Sequence, residues 1–408
     1  MKIVRIIARL NVGGPARHVT WLTEELQDEE FKSVLIAGTV PPGEEDMSYL
    51  AGKGTAAPVY IPEMSRELSP KDLIAFLKIY RVLLKERPDI VHTHTAKAGT
   101  VGRAAALAYK LTSPRSLFGR GPKIVHTFHG HVFHSYYSDA KTRLFLAIER
   151  TLARFATDRI ITISDQQRKE ISGDFRIGRA DQFETIPLGI DIEKLEAGDE
   201  ARATFRDEIG GSPNDIVVGF VGRLTEIKNL SLFIKAAGLT SSDRGEALPK
   251  LKFVIAGDGH LRNELESEAG GLVKFVGNRT DVSAVYAGTD IVALTSLNEG
   301  TPLSLIEAMA ASRTFVSTAV GGVVDLAGER LEEHEGFNVC ERGVTTASGD
   351  AEGFARGLIY LAENEKLRER LAASGRRFVN ERYAKQRLVD DIKKLYRSLV
   401  SEKGNTRT

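Results

Sequence analysis

The chain has 408 residues, 42% of them hydrophobic, which is enough to bury two cores in domains of about 200 residues each. Its 56 basic and 55 acidic residues leave a net charge of +1, which disfavours bulk nucleic-acid binding. Any charged partner must therefore bind to a local group of charged residues. Cys340 is the only cysteine, which excludes an internal disulfide and a cysteine-based metal cluster and fits a reducing cytosol.

The N-terminal ten residues alternate apolar and basic side chains, as a first strand would. They lack the apolar core and the small-residue cleavage site of a signal peptide. No run approaches the roughly 18 apolar residues that a membrane-spanning helix requires. We therefore expect a soluble, cytoplasmic protein.

Short β-branched runs alternate with longer helical patterns along the whole chain. In the first half the predicted strands are 3–8, 33–37, 59–61, 90–92, 124–128, 159–163 and 183–186. In the second half they are 216–222, 252–257, 273–276, 291–295 and 315–317. Such spacing is typical of βαβ units around a parallel sheet. The sequence therefore predicts an α/β fold with two similar doubly wound sheets.

The segment 191–214 separates the two series, since it is charged, rich in glycine and without a strand signal. We predict a linker there, between an N-terminal domain over 1–195 and a C-terminal domain over 214–382. Apolar residues at three- and four-residue steps predict a helical run over 363–400, of which about 383–400 belongs to a final helix. Two such sheets facing one another would place their ligands in a shared cleft at the carboxyl ends of the strands.

The region between Asp89 and Asp139 contains no acidic residue. Its cations are Lys97, Arg103, Lys110, Arg115, Arg120 and Lys123. With the apolar tip at 117–118, this segment predicts contact with an anionic membrane surface or a phosphate-bearing acceptor. The alternative is an ordinary solvated helix face and loop.

Two glutamates, Glu299 and Glu307, stand eight positions apart. Thr301-Pro302 between them predicts a helix start, with Thr301 as N-cap and Pro302 in the first turn. Glu299 then lies on the preceding loop and Glu307 on the second turn. Carboxylates accept hydroxyl hydrogen bonds, so the pair suits a sugar and a ribose. The alternative is a charge at a helix N-terminus and a solvated helix face.

Two cations follow a predicted buried strand that ends at Gly222, namely Arg223 and Lys228. Beside a helix N-terminus they can neutralise a diphosphate, although a surface pair is the simpler alternative. The sequence contains no Asp-x-Asp pair that would hold a metal on a leaving diphosphate. We therefore expect the cations to carry that charge without a metal.

Glycines follow two predicted strands, as Gly13-Gly14 and as Gly257-Asp-Gly259. Such turns let backbone N–H groups approach an anion or a sugar, and a tight turn is the alternative. The full Gly-x-Gly-x-x-Gly fingerprint is missing at both places, which disfavours an NAD-dependent oxidoreductase.

Six of the nine histidines fall at the ends of two predicted strands: His92, His94, His126, His129, His131 and His134. No carboxylate accompanies them, so a metal is not expected. His129 is the best placed to reach a ligand, whereas His92 and His126 read as buried residues with satisfied ring nitrogens. His131 and His134, with Tyr136, predict an acceptor-binding wall, or alternatively a mobile loop.

Together these segments resemble the retaining, nucleotide-sugar-dependent glycosyltransferases of family 4, which have the GT-B architecture of two facing Rossmann-like domains. The resemblance covers nearly the whole chain. Its carriers are Gly13-Gly14, Thr127-Phe-His-Gly130, Ile186-Pro-Leu-Gly-Ile-Asp191, Gly222-Arg-Leu with Lys228-Asn229, Gly257-Asp-Gly259, the glutamate pair and Gly321-Gly322.

The resemblance implies that the N-terminal domain binds the acceptor, that the C-terminal domain binds the nucleotide sugar, and that the final helix, about 383–400, packs back on the N-terminal domain. It also implies a role for each matching position. Glu299 would bind hydroxyls of the donor sugar, Glu307 the ribose, and Arg223 with Lys228 the diphosphate. His129 would contact the donor sugar. Further donor-binding positions are Gly13, Gly14, Gly257, Val276, Arg279, Gly300, Thr301, Pro302 and Leu303, with the base read between Val276 and Arg279.

The expected activity is sugar transfer with retention from a nucleoside diphosphate sugar, UDP favoured and GDP possible, to a hydroxyl acceptor, without a required cofactor. The acceptor would belong to polysaccharide, lipopolysaccharide or glycolipid synthesis and could be lipid-linked at the inner face of the cell membrane. A nucleotide-sugar epimerase of similar fold and a non-catalytic nucleotide-sugar-binding protein are the alternatives.

Overall fold

The computed structural model describes residues 1–11, 14–40, 57–64, 70–129, 139–241 and 250–401. The chain divides into two compact units, each treated by itself below. Unit 1 comprises Met1–Gly189 and Gln386–Thr408, and unit 2 comprises Ile190–Lys385.

Unit 1 is built on a seven-stranded sheet whose strands are all parallel. The strands are β1 (Lys2–Ile7), β2 (Lys32–Ala37), β3 (Val59–Tyr60), β4 (Ile90–His94), β5 (Lys123–Thr127), β6 (Arg159–Thr162) and β7 (Phe183–Thr185). Their order is β3-β2-β1-β4-β5-β6-β7. The inner strands are buried, which explains why they read as short apolar runs.

Helices connect these strands in the order that the sequence predicts. They are α1 (Gly14–Glu25), α2 (Lys71–Glu86), α3 (Ala96–Thr112), α4 (Asp139–Phe155) and the short α5 (Asp165–Lys169). Buried residues of α2 and α3, such as Ile79 and Ala105, pack with Val4 and Ile6 of β1 in one core cluster.

Unit 2 contains an eight-stranded sheet in the order β10-β9-β8-β11-β12-β15-β14-β13. The strands are β8 (Ile216–Val221), β9 (Leu251–Ala256), β10 (Val273–Gly277), β11 (Ile291–Leu294), β12 (Thr314–Thr318), β13 (Arg330–His334), β14 (Phe337–Cys340) and β15 (Val344–Thr346). The pairs from β10 to β15 are parallel, whereas β14 pairs antiparallel with both β15 and β13. The last three strands were not predicted, because they are short and β13 is largely exposed and charged.

The helices of unit 2 are α6 (Asp199–Glu208), α7 (Leu230–Ser241), α8 (Arg262–Ala269), α9 (Val282–Gly288), α10 (Leu303–Ala310), α11 (Val323–Ala327), α12 (Ala351–Glu363) and α13 (Glu365–Arg382). No described helix of either unit combines the length and apolar character that crossing a membrane requires.

The predicted linker over 191–214 instead contains helix α6 (Asp199–Glu208), and the segment belongs to unit 2. Phe205 of this helix is buried in a core cluster of unit 2. Arg202 and Arg206 form ion pairs with Asp290, which precedes β11. The charges that suggested a solvated linker therefore have partners inside the unit, and unit 2 begins at Ile190 rather than at 214.

The predicted helical run over 363–400 is two helices, α13 and α14 (Lys385–Ser401). The break lies at Ala384, which pairs with Ile190 in a short parallel bridge. Apolar residues of α14, including Leu388 and Ile392, share a core cluster with Ile3 and Phe31. The C-terminal helix is thus part of the core of unit 1.

The predicted α/β fold with two mostly parallel sheets is confirmed. In each sheet the order of strands reverses direction at one place, between β1 and β4 in unit 1 and between β8 and β11 in unit 2. Ligands of open α/β sheets bind at the carboxyl ends of the strands beside such a switch point. Residues at these two switch points are therefore the candidates for ligand binding.

Candidate functional site

The switch point of unit 2 brings Lys228 and Glu299 together. Lys228 ends the loop after β8, and Glu299 lies in the loop after β11, the neighbouring strand. The Lys228 Nζ atom is 2.5 Å from Glu299 Oε1, and the Ser296 hydroxyl donates to the same oxygen at 2.6 Å. The two loops are also joined through the backbone, since Leu297 N–H donates to the Ile227 carbonyl at 2.8 Å. Two residues predicted separately are therefore direct partners.

Glycines hold the Glu299 loop close to the loop after β12. A Cβ atom on Gly321 would lie 1.9 Å from the Glu299 carbonyl oxygen, and one on Gly322 would lie 1.9 Å from that of Gly300. Gly321 also has a φ of +50°, which favours glycine. The Gly322 N–H donates to the Glu299 carbonyl at 3.0 Å. Only glycines permit this approach, which fixes the backbone on which Glu299 and Gly300 lie.

Glu307 lies on the second turn of α10, as predicted for the second glutamate. Its Oε2 atom accepts a hydrogen bond from the Tyr286 hydroxyl at 3.0 Å. Tyr286 is fully buried on α9, whereas Glu307 is partly exposed. The tyrosine therefore orients one face of a carboxylate that keeps some access to solvent.

The predicted helix start is displaced by one residue. Helix α10 begins at Leu303, and Pro302, with φ of −70° and ψ of 110°, occupies the cap position. Thr301 is therefore not the N-cap, and its buried Oγ1 atom has no hydrogen-bond partner among the described residues. The extended ψ of the proline places the cap one residue later than the sequence suggested.

Arg223 and Gly257 follow neighbouring strands of the same sheet. Arg223 is exposed and has no ion-pair partner within the described part of the chain. A Cβ atom on Gly257 would lie 1.8 Å from the Gly222 carbonyl oxygen, so glycine is required where the ends of β8 and β9 meet. Leu224 N–H donates to the Asp258 carbonyl at 2.9 Å, which ties the segment containing Arg223 to this turn.

The segment from Val276 to Arg279 covers the end of β10, which pairs with β9, and the two residues after it. Val276 packs against a core cluster. The Arg279 guanidinium is held by Glu208 at 2.6 Å and by Asp281 at 2.7 Å. Because its side chain is occupied by two carboxylates, this segment would offer its backbone rather than the Arg279 charge to a ligand.

In unit 1, His129 lies just after β5 and contacts two other histidines. Its Nε2 atom is 3.0 Å from Nδ1 of His94, the last residue of β4. Its ring is also 4.9 Å from that of His18, on α1. Gly14 is the first residue of α1. Gly13, His131, His134 and Tyr136 lie outside the described residues.

Two further histidines are buried behind this group. His92 uses both ring nitrogens, with the Tyr396 hydroxyl at 2.6 Å and the Thr127 hydroxyl at 2.7 Å. His126 contacts the Thr93 hydroxyl at 2.8 Å, and its Nε2 atom has no partner within the described ranges. His92 is thus satisfied as predicted, whereas His126 is satisfied at one nitrogen only.

All five histidines are neutral in the folded protein at pH 7. Burial lowers the pKa of His129 to about 4 and holds the pKa values of His18, His92, His94 and His126 well below 6.5. Neighbouring charges, including Arg5 and Arg103, lower these pKa values further. A neutral imidazole can donate to a hydroxyl but cannot neutralise a phosphate.

These pKa values predict that unit 1 loses stability in mild acid. The unfolded chain takes up protons as the pH falls below about 6.5, whereas the folded chain does not until the pH nears the lowered values. The free energy of unfolding should therefore fall by up to about 1.4 kcal/mol per pH unit for each such histidine. Urea unfolding in EDTA at several pH values, followed by fluorescence of the single tryptophan, Trp21 on α1, measures this effect.

A matched variant tests the assignment. His260→Gln removes an exposed histidine that pairs with Glu226 in unit 2, so it should leave the pH profile of Trp21 unchanged. His126→Gln should make the profile shallower. A free energy of unfolding that stays level from pH 7.5 to 5.5 would contradict neutral buried histidines.

The predicted cationic segment is largely neutralised by acids from elsewhere in unit 1. Its ion pairs are Lys97 with Asp72, Arg103 with Glu149, Lys110 with Asp158 and Arg115 with Asp89. Arg103 and Glu149 are almost completely buried. The absence of acids from a stretch of sequence did not mean their absence in space. Phe118, 74% exposed, and the exposed Arg120 remain at the tip.

Comparison with known proteins gives the family. Residues 12–194 match the family described as Glycosyltransferase Family 4, and residues 201–378 match Glycosyl transferases group 1. The chain belongs to the family 4 glycosyltransferases. It is 27% identical over 354 residues, covering 84% of each chain, to the UDP-Gal:alpha-D-GlcNAc-diphosphoundecaprenol alpha-1,3-galactosyltransferase of Escherichia coli.

Two other similarities extend this result. The glycosyltransferase is 26% identical to the putative glycosyltransferase EpsD of Bacillus subtilis, covering 82% of this chain and 83% of EpsD. Its fold matches that of Anabaena HepE, solved in complex with UDP, with a TM-score of 0.76 and 20% identity over 98% of this chain and all of HepE. The glycosyltransferase therefore has the GT-B fold of two Rossmann-like domains.

Sequence reasoning missed three residues of the glycosyltransferase that contact predicted positions. Ser296 bonds Glu299, Tyr286 bonds Glu307, and His18 contacts His129. Ser296 could have been found, because it is a polar residue directly after a predicted strand. Tyr286 and His18 lie within helices, where nothing local distinguishes them from core residues.

Proposed function

We propose that this glycosyltransferase moves a sugar, with retention, from a nucleoside diphosphate sugar to a hydroxyl acceptor, and that UDP is the favoured nucleotide. The observation that carries the proposal is the Lys228–Glu299 ion pair at the switch point of unit 2. A cation for phosphate and an acid for sugar hydroxyls lie side by side where ligands of such sheets bind. The structure of HepE in complex with UDP supports the choice of nucleotide.

Binding of the donor would break the Lys228–Glu299 ion pair and give each side chain a new partner on the donor. Lys228 would turn to the diphosphate, and Glu299 would accept hydroxyls of the sugar while keeping its bond from Ser296. Arg223, which is exposed and unpaired among the described residues, would add a second cation. Negative charge growing on the departing phosphate is then stabilised by two cations, without a metal at the leaving group.

Glu307 would bind the ribose of the nucleotide. The buried Tyr286 hydroxyl donates to Oε2 of this carboxylate and so sets the direction in which it faces the ribose hydroxyls. Tyr286→Phe keeps the shape of the core but removes this orientation. We expect donor KM to rise about tenfold with little change in kcat, since a hydrogen bond to a charged group contributes about 1.5 kcal/mol.

Initial rates over a range of donor concentrations check this result. The matched control is Tyr360→Phe, which removes a hydroxyl that bonds exposed Glu332 at 3.4 Å in the same unit. It should leave both constants unchanged. A Tyr286→Phe enzyme with wild-type KM would separate Glu307 from donor binding.

For the chemical step we propose front-face attack, in which the acceptor hydroxyl passes its proton to the leaving phosphate. The C–O bond to the phosphate breaks as the new glycosidic bond forms on the same face of the sugar. His129 would donate to a sugar hydroxyl as a neutral imidazole. The anomeric configuration of the product, read from its proton NMR coupling, tests retention.

The acceptor is proposed to be a lipid-linked or growing polysaccharide hydroxyl. The E. coli relative is named as a galactosyltransferase for alpha-D-GlcNAc-diphosphoundecaprenol, which supports this class. Exposed Phe118 and Arg120 at the tip of the segment after α3 would contact an anionic membrane. Salt-sensitive flotation with anionic liposomes, lost in Phe118→Ala/Arg120→Ala, is the expected result, and equal flotation of the variant would remove this surface from the proposal.

A panel of nucleotide sugars, scored by nucleoside diphosphate release with and without chelator, tests the proposed activity. We expect one UDP-sugar to give acceptor-dependent release that EDTA does not reduce. Conversion of the donor without release would indicate an epimerase. Binding of UDP without any turnover would indicate a non-catalytic binding protein.

A further inference from the structure

The switch point of unit 1 contains three histidines that the proposed chemistry does not require as a group. His18 comes from α1, His94 ends β4, and His129 follows β5. One ring nitrogen of each can be chosen so that all three lie within 4.8 Å of one another. This cluster, which we call the histidine site, is therefore built from helix α1 and the carboxyl ends of two neighbouring strands.

The ring nitrogens of the histidine site are poorly satisfied within the described part of the chain. The one hydrogen bond joins His94 Nδ1 to His129 Nε2 at 3.0 Å. Both nitrogens of His18, Nε2 of His94 and Nδ1 of His129 are buried without a hydrogen-bond partner. Buried polar atoms without partners are rare and costly in proteins, so four in one cluster indicate a binding role.

We propose that His18, His94 and His129 bind a late first-row transition-metal ion, best represented by Zn²⁺. Three imidazoles with an open fourth position are an established zinc ligand set, so the lack of nearby carboxylates does not exclude a metal, contrary to the expectation from sequence. Two nitrogens bound to tetrahedral zinc at about 2.0–2.1 Å lie about 3.3 Å apart. The 3.0 Å separation of His94 Nδ1 and His129 Nε2 is already close to this spacing, and His18, whose two nitrogens are without a partner among the described residues, would supply the third ligand.

The charges around the histidine site determine which fourth ligand the metal ion would take. Burial keeps the imidazoles neutral, which is the form that ligates metals. Arg5 and Arg387 are charged neighbours of His18, and Arg5 is fully buried beside Ser33 and Tyr396. These cations oppose a bare dication. The fourth ligand is therefore expected to be an anion, such as hydroxide or chloride, which lowers the charge of the site.

Occupation of the histidine site would inhibit sugar transfer, a consequence that rests on the proposed function. The His129 nitrogen that ligates a metal carries no proton, so it cannot also donate to a sugar hydroxyl. Micromolar Zn²⁺ should therefore slow nucleoside diphosphate release, and EDTA should restore it.

The binding test does not depend on activity. Trp21, the single tryptophan, lies three residues after His18 on α1, and side chains at this spacing are neighbours on a helix. Co²⁺ bound at the histidine site should quench its fluorescence, and Zn²⁺ should be able to displace it. We expect saturable quenching by one ion per chain in metal-free protein without a histidine tag, reversed by competing Zn²⁺.

Variants locate the ion. His18→Gln and His129→Gln should each weaken binding by more than about 100-fold, since loss of a ligand exceeds the 10- to 100-fold effect of changing a residue that supports one. His260→Gln, an exposed histidine of unit 2, and His131→Gln/His134→Gln should bind as the wild type does. Circular dichroism shows whether each variant is folded. If His18→Gln does not fold, the metal affinity of His129→Gln is the test of the site.

The absence of saturable quenching, or wild-type affinity in both single variants, would overturn the inference. Loss of binding only in His131→Gln/His134→Gln would also overturn it by moving the ion elsewhere. Quenching that requires His18 in a protein without transfer activity would support the metal site and count against the proposed function alone.

Discussion

Replacing Lys228 with alanine should lower nucleoside diphosphate release by about 10²- to 10³-fold, the size of the effect when one donor to a developing negative charge is removed. Lys228 is the partner of Glu299 in the ligand-free protein and the proposed partner of the diphosphate during transfer. The loss should fall mainly on kcat, because charge on the leaving phosphate is greatest in the transition state.

Lys228→Ala could lose activity because the protein is less stable or because the diphosphate has lost its partner, and a second variant distinguishes the two. Lys228→Ala leaves Glu299, whose side chain is only 10% exposed, with Ser296 as its remaining partner. The double variant Lys228→Ala/Glu299→Gln removes the unpaired charge, so it should regain stability without regaining activity. Lys235→Ala, an exposed lysine on α7, is the matched control and should retain full activity. Near-normal turnover in Lys228→Ala would exclude this lysine from the mechanism.

Replacing Glu149 with alanine should destabilise unit 1 by about 3–5 kcal/mol, the cost of leaving one charge of a buried ion pair without its partner. Arg103 and Glu149 are 0% and 3% exposed, and their side chains are 2.5 Å apart. Arg103 also donates to the Gly99 carbonyl, so its charge cannot turn to solvent without breaking α3 contacts. Urea unfolding followed by Trp21 fluorescence reports on this unit.

Asp181→Ala provides the comparison. Asp181 pairs with Arg179 in the same unit, but both side chains are more than half exposed. Solvent screens a pair this exposed and its side chains are costly to order, so this variant should be close to wild type. Equal effects of Asp181→Ala and Glu149→Ala would show that burial of the Arg103–Glu149 pair does not govern its contribution.

The sequence was informative where function depends on the ends of strands. Lys228 and Glu299 were identified separately, each from a charge placed after a buried apolar run, and adjacent parallel strands then bring such ends together. The glycines at 257 and 321–322 were visible as motifs. Glycine is required at these positions because carbonyl oxygens from neighbouring loops approach closely, and this approach is a property of the tertiary structure.

Two wrong predictions, those for 191–214 and for the segment between Asp89 and Asp139, share one physical cause, which is that charge was judged along the chain. The segment 191–214 looked like a solvated linker, but Arg202 and Arg206 reach Asp290 more than eighty positions away. The segment between Asp89 and Asp139 looked cationic, but acids from other elements pair with four of its cations. A charge has its strongest partners within a few ångströms, whatever their separation in sequence.

By itself, the sequence determined the α/β class, the two sheets and the positions of the main donor-site candidates, because hydrophobic periodicity and strand ends are local properties. Only the tertiary structure decided which charges are paired, that Tyr286 orients Glu307, and that His18 joins His94 and His129. These contacts join residues from separate elements, and their geometry depends on how the helices pack on each sheet.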